Sequence, residues 1–128
     1  MHIKNHRSYI SIINSMIPKK INHVTVLGAG NMGSQIAKLL SSKHIHCLLL
    51  DVKSDTHNPN KIPDDAIDDW SKRQTSRNNG KSLIKTGNFS DHLSMARQSD
   101  WIIEAIIENM DAKLELLSNV SRLIDPRA

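Results

Sequence analysis

Aromatic side chains are scarce in this sequence: two Trp, one Tyr and one Phe among 128 residues. Aliphatic side chains must therefore build the core, and the aromatic-plus-basic pattern of RNA-reading modules is missing, so nucleic acid is not an expected partner. Cysteine occurs once, at Cys47. An internal disulfide is excluded, which fits a reducing compartment and makes a cytoplasmic location the expectation. No apolar run approaches the ~20 residues that a bilayer span requires. Acidic residues are absent before Asp51, whereas Lys4, Arg7, Lys19, Lys20, Lys38 and Lys43 all precede it, and the formal net charge is +4. A basic first half can in principle attract nucleic acid, a membrane surface or an anionic cofactor, and the missing aromatic-plus-basic pattern sets the first aside.

The length suits one domain. Residues 1–20 read as a basic arm ahead of it. Ile10, Ile13 and Ile17 recur at helical spacing, so a short amphipathic helix fits there, and the acid-free character also resembles a transit peptide. The simplest reading is a loosely ordered arm. Ser11, Asn14 and Ser15 interrupt the apolar stretch, which argues against a secretory signal.

From residue 21 to 128 strands and helices alternate. His23 to Leu27 reads as a short buried strand. Asn31 to Lys43 reads as a helix with Met32, Ile36, Leu39 and Leu40 on one face. Ile45 to Val52 is a second strand, whose run Cys47-Leu48-Leu49-Leu50 suits burial on both faces. The polar stretch around Asn58-Pro59-Asn60 is a loop. Pro63, Asp64 and Asp65 mark a helix start, and Asn78-Asn79-Gly80 stops that helix near Arg77. A short strand over Ser82–Thr86, a brief helix over Asp91–Gln98, a strand over Trp101–Ile107 and a helix over Asp111–Leu123 follow. This alternation predicts an α/β fold, a parallel sheet with helices on both faces.

Between the first strand and the first helix lies Gly28-Ala29-Gly30-Asn31-Met32-Gly33. The first glycine permits a tight turn, the second lets backbone approach a pyrophosphate, and the third lets helix pack on strand. Free N–H groups at the helix start, backed by the helix dipole, suit phosphate. Asp51 ends the second strand eighteen residues past Gly33. An acid there accepts both adenosine ribose hydroxyls and repels a 2′-phosphate, which favours NAD over NADP. Lys53, two residues on, keeps NADP open. The plainer alternative is a tight turn with Asp51 capping a strand.

The segment Asp100-Trp101-Ile102-Ile103-Glu104-Ala105-Ile106-Ile107-Glu108-Asn109-Met110-Asp111-Ala112-Lys113 reads as a buried strand running into a helix. Glu104 and Glu108 then lie at the carboxyl end of the sheet, where ligands bind in doubly wound folds. Equally, Glu104 is a strand-end acid paired with a nearby lysine and Glu108 a helix-start acid favoured by the dipole.

This segment, together with Leu27 to Ala37 and Leu48 to Asp51, resembles the amino-terminal domain of 3-hydroxyacyl-CoA dehydrogenases, most of all the long bacterial forms fused to an enoyl-CoA hydratase. The resemblance runs from Ile21 to about Asp125. It implies a Rossmann-like doubly wound sheet, here incomplete, with about four parallel strands and flanking helices. It also implies NAD contacts at Gly28, Ala29, Gly30, Asn31, Met32, Gly33 and Asp51. Ala105 and Ile106 would flank the cofactor, with Glu108 and Lys113 near the nicotinamide-side ribose and phosphate. Lys72, Arg73 and Arg77 are candidates for CoA phosphates in a helix that departs from the family pattern.

In that family, oxidation of 3-hydroxyacyl-CoA in fatty acid β-oxidation uses a histidine base, an orienting glutamate, a serine and an asparagine. All of these belong beyond the point reached by Ala128. The seven histidines here show no metal-ligand spacing, and no catalytic residue is assigned to any of them. The expectation is therefore a fragment that binds NAD, is inactive alone, and self-associates through an exposed edge at the Trp101 strand. A non-catalytic NAD-binding or interaction module is the alternative. Another reductase, of the hydroxyisobutyrate dehydrogenase or pyrroline-carboxylate reductase groups, is disfavoured by the paired glutamates.

Overall fold

The computed structural model describes residues 20–73, 83–106 and 110–124. Residues 1–19 of the arm, the site candidate Glu108, and Arg77 lie outside them. The chain runs through β1 (His23–Leu27), α1 (Asn31–Ser42), β2 (His46–Asp51), α2 (Lys61–Arg73) and β3 (Ile84–Asn88). The short α3 (Phe89–His92), a 3-10 segment (Leu93–Gln98), β4 (Trp101–Glu104) and α4 (Met110–Ile124) follow. The four strands form one sheet in the order β3-β2-β1-β4, and every pairing is parallel. The chain winds outwards from β1 to β3, then crosses back to lay β4 on the other side of β1. That reversal makes the carboxyl end of β1 and β4 the switch point of a doubly wound sheet.

Strand alternation sorts the core into two layers. Val24, Val26, Cys47 and Leu49 pack with Ala37 of α1 and Ile67 of α2. Leu27 and Leu50 pack on the opposite face with Leu116 and Val120 of α4. Val26, Leu27, Leu49 and Leu50 are completely buried, and burying each such side chain contributes about 1.5–3 kcal/mol.

The face of α1 differs from the sequence expectation. Met32 and Leu39 are largely exposed, and the buried positions are Gly33, Ser34, Ala37 and Ser41. Small residues four apart put the helix axis close to β1, and Ile36 and Leu40 pack at the margin. A Cβ on Gly33 would stand 1.7 Å from the Gly28 carbonyl oxygen, so no side chain fits there. Hydrophobicity alone misses this face because the closest contact is made by residues with almost no side chain.

Two strand boundaries also move. β3 lies over Ile84–Asn88, and β4 ends at Glu104. The Ala105 N–H still donates to the Leu27 carbonyl at 2.8 Å, but the Ile106 N–H turns to the Glu104 carboxylate. A side chain thus takes a donor on the side of β4 that faces away from β1. At the other end, the Asp100 carboxylate accepts the N–H groups of Asn22 and His23 at 2.9 and 3.0 Å, tying β4 to the start of β1.

Gly33→Ala should destabilise the fold by about 3 kcal/mol, the upper end of ordinary overpacking, because the atom it meets is backbone. Urea unfolding measures this, and an unchanged midpoint would contradict the packing described. Cys47 is 2% exposed, and burial pushes its thiol up to about 12. Its folded value lies above the unfolded 9.0, so this contribution to stability is complete below pH 9.0 and is lost as pH rises towards 12. Iodoacetamide at pH 8 should therefore label Cys47 only after denaturation. Labelling of the folded chain at the rate of a free thiol would refute its burial.

Candidate functional site

The loop between β1 and α1 owes its shape to two glycines. Gly28 has φ +112°, a left-handed conformation that side chains rarely adopt, and its N–H donates to the Leu50 carbonyl at 2.7 Å. Gly33 seats α1 directly on that turn. Gly30 stands at the helix N-cap without a side-chain cap. A Cβ placed on Gly30 would meet nothing within 4 Å, so the loop leaves open space where backbone can face a ligand. No acidic residue occupies the first turn of α1, and the positive end of its dipole is uncompensated there.

Asp51 forms the rim. Its Oδ2 accepts the Ala29 N–H at 2.7 Å and its Oδ1 accepts the Val52 N–H at 2.6 Å. Each carboxylate oxygen keeps a further lone pair for a hydroxyl donor. The plainer capping role and the ribose role are therefore compatible: one carboxylate holds the loop and faces the cleft.

β4 supplies the opposite wall. Ala105 and Ile106 close over Gly28, whose added Cβ would lie 3.1 Å from both the Ala105 carbonyl carbon and the Ile106 side chain. Beneath them Glu104 takes the Ile106 N–H with one oxygen, and Lys113 sits 3.0 Å from the other. The strand-end pairing left open by the sequence is thus present.

Between these walls opens a cleft of about 490 Å³. Of the expected site residues, Gly28, Gly30, Asn31, Met32 and Asp51 line one side and Ala105 and Ile106 the other. Ala29 and Gly33 are buried in the loop's support, and Lys113 is engaged with Glu104. Val52, Phe89 and Leu116 also line the cleft. Sequence reasoning missed them, although the lone phenylalanine immediately after β3 was a usable signal. The side chains of Lys72 and Arg73 fall outside the described residues.

A second cavity of about 260 Å³ opens at the amino-terminal end of the strands, beside His23, His46 and Cys47. The two imidazoles stack with centroids 4.9 Å apart. Among the described residues no group of three or more His, Cys, Asp or Glu side chains could hold a metal ion. No helix among them is long and apolar enough to cross a membrane.

The residues present fit a dinucleotide: an open glycine cradle at a helix start, an acid fixed at the neighbouring strand end, and an apolar wall opposite. Asp51→Ala removes a charged acceptor from two loop N–H groups and should cost about 2 kcal/mol of stability even without ligand. Chemical denaturation measures it, and a wild-type midpoint would show that the carboxylate does not hold the loop.

Comparison with known proteins agrees with this geometry. The family model described as "3-hydroxyacyl-CoA dehydrogenase, NAD binding domain" matches residues 23–128. A curated relative from Deinococcus radiodurans, named "Probable 3-hydroxyacyl-CoA dehydrogenase", is 35% identical over 113 residues, which is 85% of this chain and 33% of that protein. Among solved structures, FadB2 of Mycobacterium tuberculosis superposes with TM-score 0.68 at 24% identity over 86% of this chain and 40% of its own. The (S)-3-hydroxybutyryl-CoA dehydrogenase PaaH1 of Ralstonia eutropha gives 0.65 at 21%, over 81% and 38%. The chain therefore spans about a third of the length of the Deinococcus relative. With the glycine loop, the acid-ended β2 and the segment from Trp101 to Lys113 all inside the matched range, the chain belongs to the NAD-binding domain family of the 3-hydroxyacyl-CoA dehydrogenases.

Proposed function

We propose that this chain supplies the NAD-binding part of an enzyme that oxidises 3-hydroxyacyl-CoA to 3-oxoacyl-CoA in fatty acid β-oxidation. The observation that carries this reading is the pairing of the open cradle at Gly30 with the Asp51 carboxylate, fixed 2.7 Å from the Ala29 N–H on the same loop. The N–H groups at the start of α1 would hold the pyrophosphate, Asp51 the adenosine ribose hydroxyls, and Ala105 and Ile106 the cofactor's apolar flank. Lys113, with Glu108, would serve the nicotinamide-side ribose and phosphate in exchange for its contact with Glu104. Bound NAD supplies the hydride acceptor for the 3-hydroxyl carbon of the substrate. The chain's own part is to bind, orient and shield that cofactor.

Acyl-CoA is the proposed substrate of the complete enzyme, and the cytoplasm its proposed location. In the proposed division of labour the proton-abstracting group belongs to another part of the complete enzyme. β4 has one strand neighbour, β1, in the described sheet, and Trp101 at its start is 50% exposed. Self-association along that edge is part of the proposal.

Calorimetric titration tests the cofactor assignment. NAD should bind, and NADP should bind more weakly. Absence of binding by either at millimolar ligand would refute the reading, and tighter binding of NADP would reverse the role given to Asp51. Reduction of acetoacetyl-CoA by NADH should be undetectable with the purified chain, and measurable turnover would overturn the proposed division of labour.

A further inference from the structure

Asp51 repels a 2′-phosphate by charge, but Lys53 stands two residues away, and a basic residue near this strand end is what accommodates that phosphate in NADP-binding relatives of the fold. The structure gives Lys53 another partner. Its Nζ lies 3.3 Å from Oδ1 and 3.2 Å from Oδ2 of Asp91 on α3. Asp91 is itself held in place. Its backbone N–H donates to Asn88 Oδ1 at 2.8 Å, and the Asn88 side-chain amide donates to Asp91 Oδ2 at 3.1 Å. Asn88 is fully buried, its side-chain amide also donates to Asn60 Oδ1 at 2.8 Å, and it is the register partner of Asp51 across β2 and β3.

We propose that Asp91 selects NAD over NADP by occupying Lys53, the cation that would otherwise meet a 2′-phosphate beside Asp51. This rests on the NAD-binding reading above and adds a residue to it. Val52 and Phe89, which line the cleft, flank the pair in sequence, so the pair stands at the adenosine-ribose side of the site. The Asn88 and Lys53 hydrogen bonds hold the Asp91 carboxyl below the usual carboxylate range, and it remains ionised at neutral pH. A 2′-phosphate arriving there would have to displace one carboxylate from Lys53 while facing a second at Asp51. Both partners of the pair are about half exposed, and such pairs contribute little to stability. The charge relation is therefore separable from folding.

The test is calorimetric titration of the full chain with NAD and with NADP, in the wild type, Asp91→Asn, Lys53→Gln and the double variant. Asp91→Asn keeps the shape that Asn88 holds and removes the charge. It should leave NAD affinity within about twofold while strengthening NADP by about fivefold or more, an effect that shrinks as salt is raised. Lys53→Gln alone should leave NAD binding unchanged, and the double variant should return to wild-type discrimination. A merely structural role for Asp91 would weaken both cofactors alike and would overturn the inference. So would an unchanged NADP-to-NAD ratio, or a gain that survives in the double variant. Failure of the wild type to bind NAD would instead overturn the cofactor reading itself, and this inference with it.

Discussion

The structure depends on one close approach: the first turn of α1 resting on the backbone of the Gly28 turn. There is no room for even a methyl group between them. Because Gly33 accepts that contact, only three residues separate the end of β1 from the start of the helix, and its first N–H groups point out beside Gly30. Because Gly28 takes a left-handed conformation, the chain reverses in one residue while still donating to Leu50. A side chain at Gly33 would lift the helix and disperse the cradle, so the same contact serves packing and ligand approach.

The register of the sheet turns this local feature into a site. Leu27 pairs with Leu50 and with Glu104, and Asp51 pairs with Asn88. The four strands therefore end level, and the polar side chains that end β2, β3 and β4 form one rim. Each terminal side chain takes a main-chain N–H that the ladder leaves behind: Asp51 takes that of Ala29, Asn88 that of Asp91, and Glu104 that of Ile106. Polar groups at strand ends are stabilised by these bonds. They also set the walls of the cleft at fixed distances from the glycine loop.

Much of this was legible in the sequence. The strand–glycine loop–helix–strand order, the acid ending β2 and the apolar strand that carries Glu104 are local patterns, and each follows from chain periodicity or turn chemistry. The packing face of α1 was not, since Met32 and Leu39 carry the hydrophobicity while Gly33, Ala37 and Ser41 make the contact. The Lys53–Asp91 pair is separated by 38 positions and appears only once β3 lies beside β2. Glu104 with Lys113 was half legible: both roles were open, and geometry supplies the ion pair.

NAD is proposed to bind where β1 and β4 part, on the glycine loop. Amide chemical-shift mapping of the labelled chain during NAD titration tests it most directly. The largest shifts are expected at Gly28 to Gly33, Asp51 and Val52, and Ala105 and Ile106. Shifts concentrated instead around His23, His46 and Cys47, at the opposite end of the sheet, would contradict it.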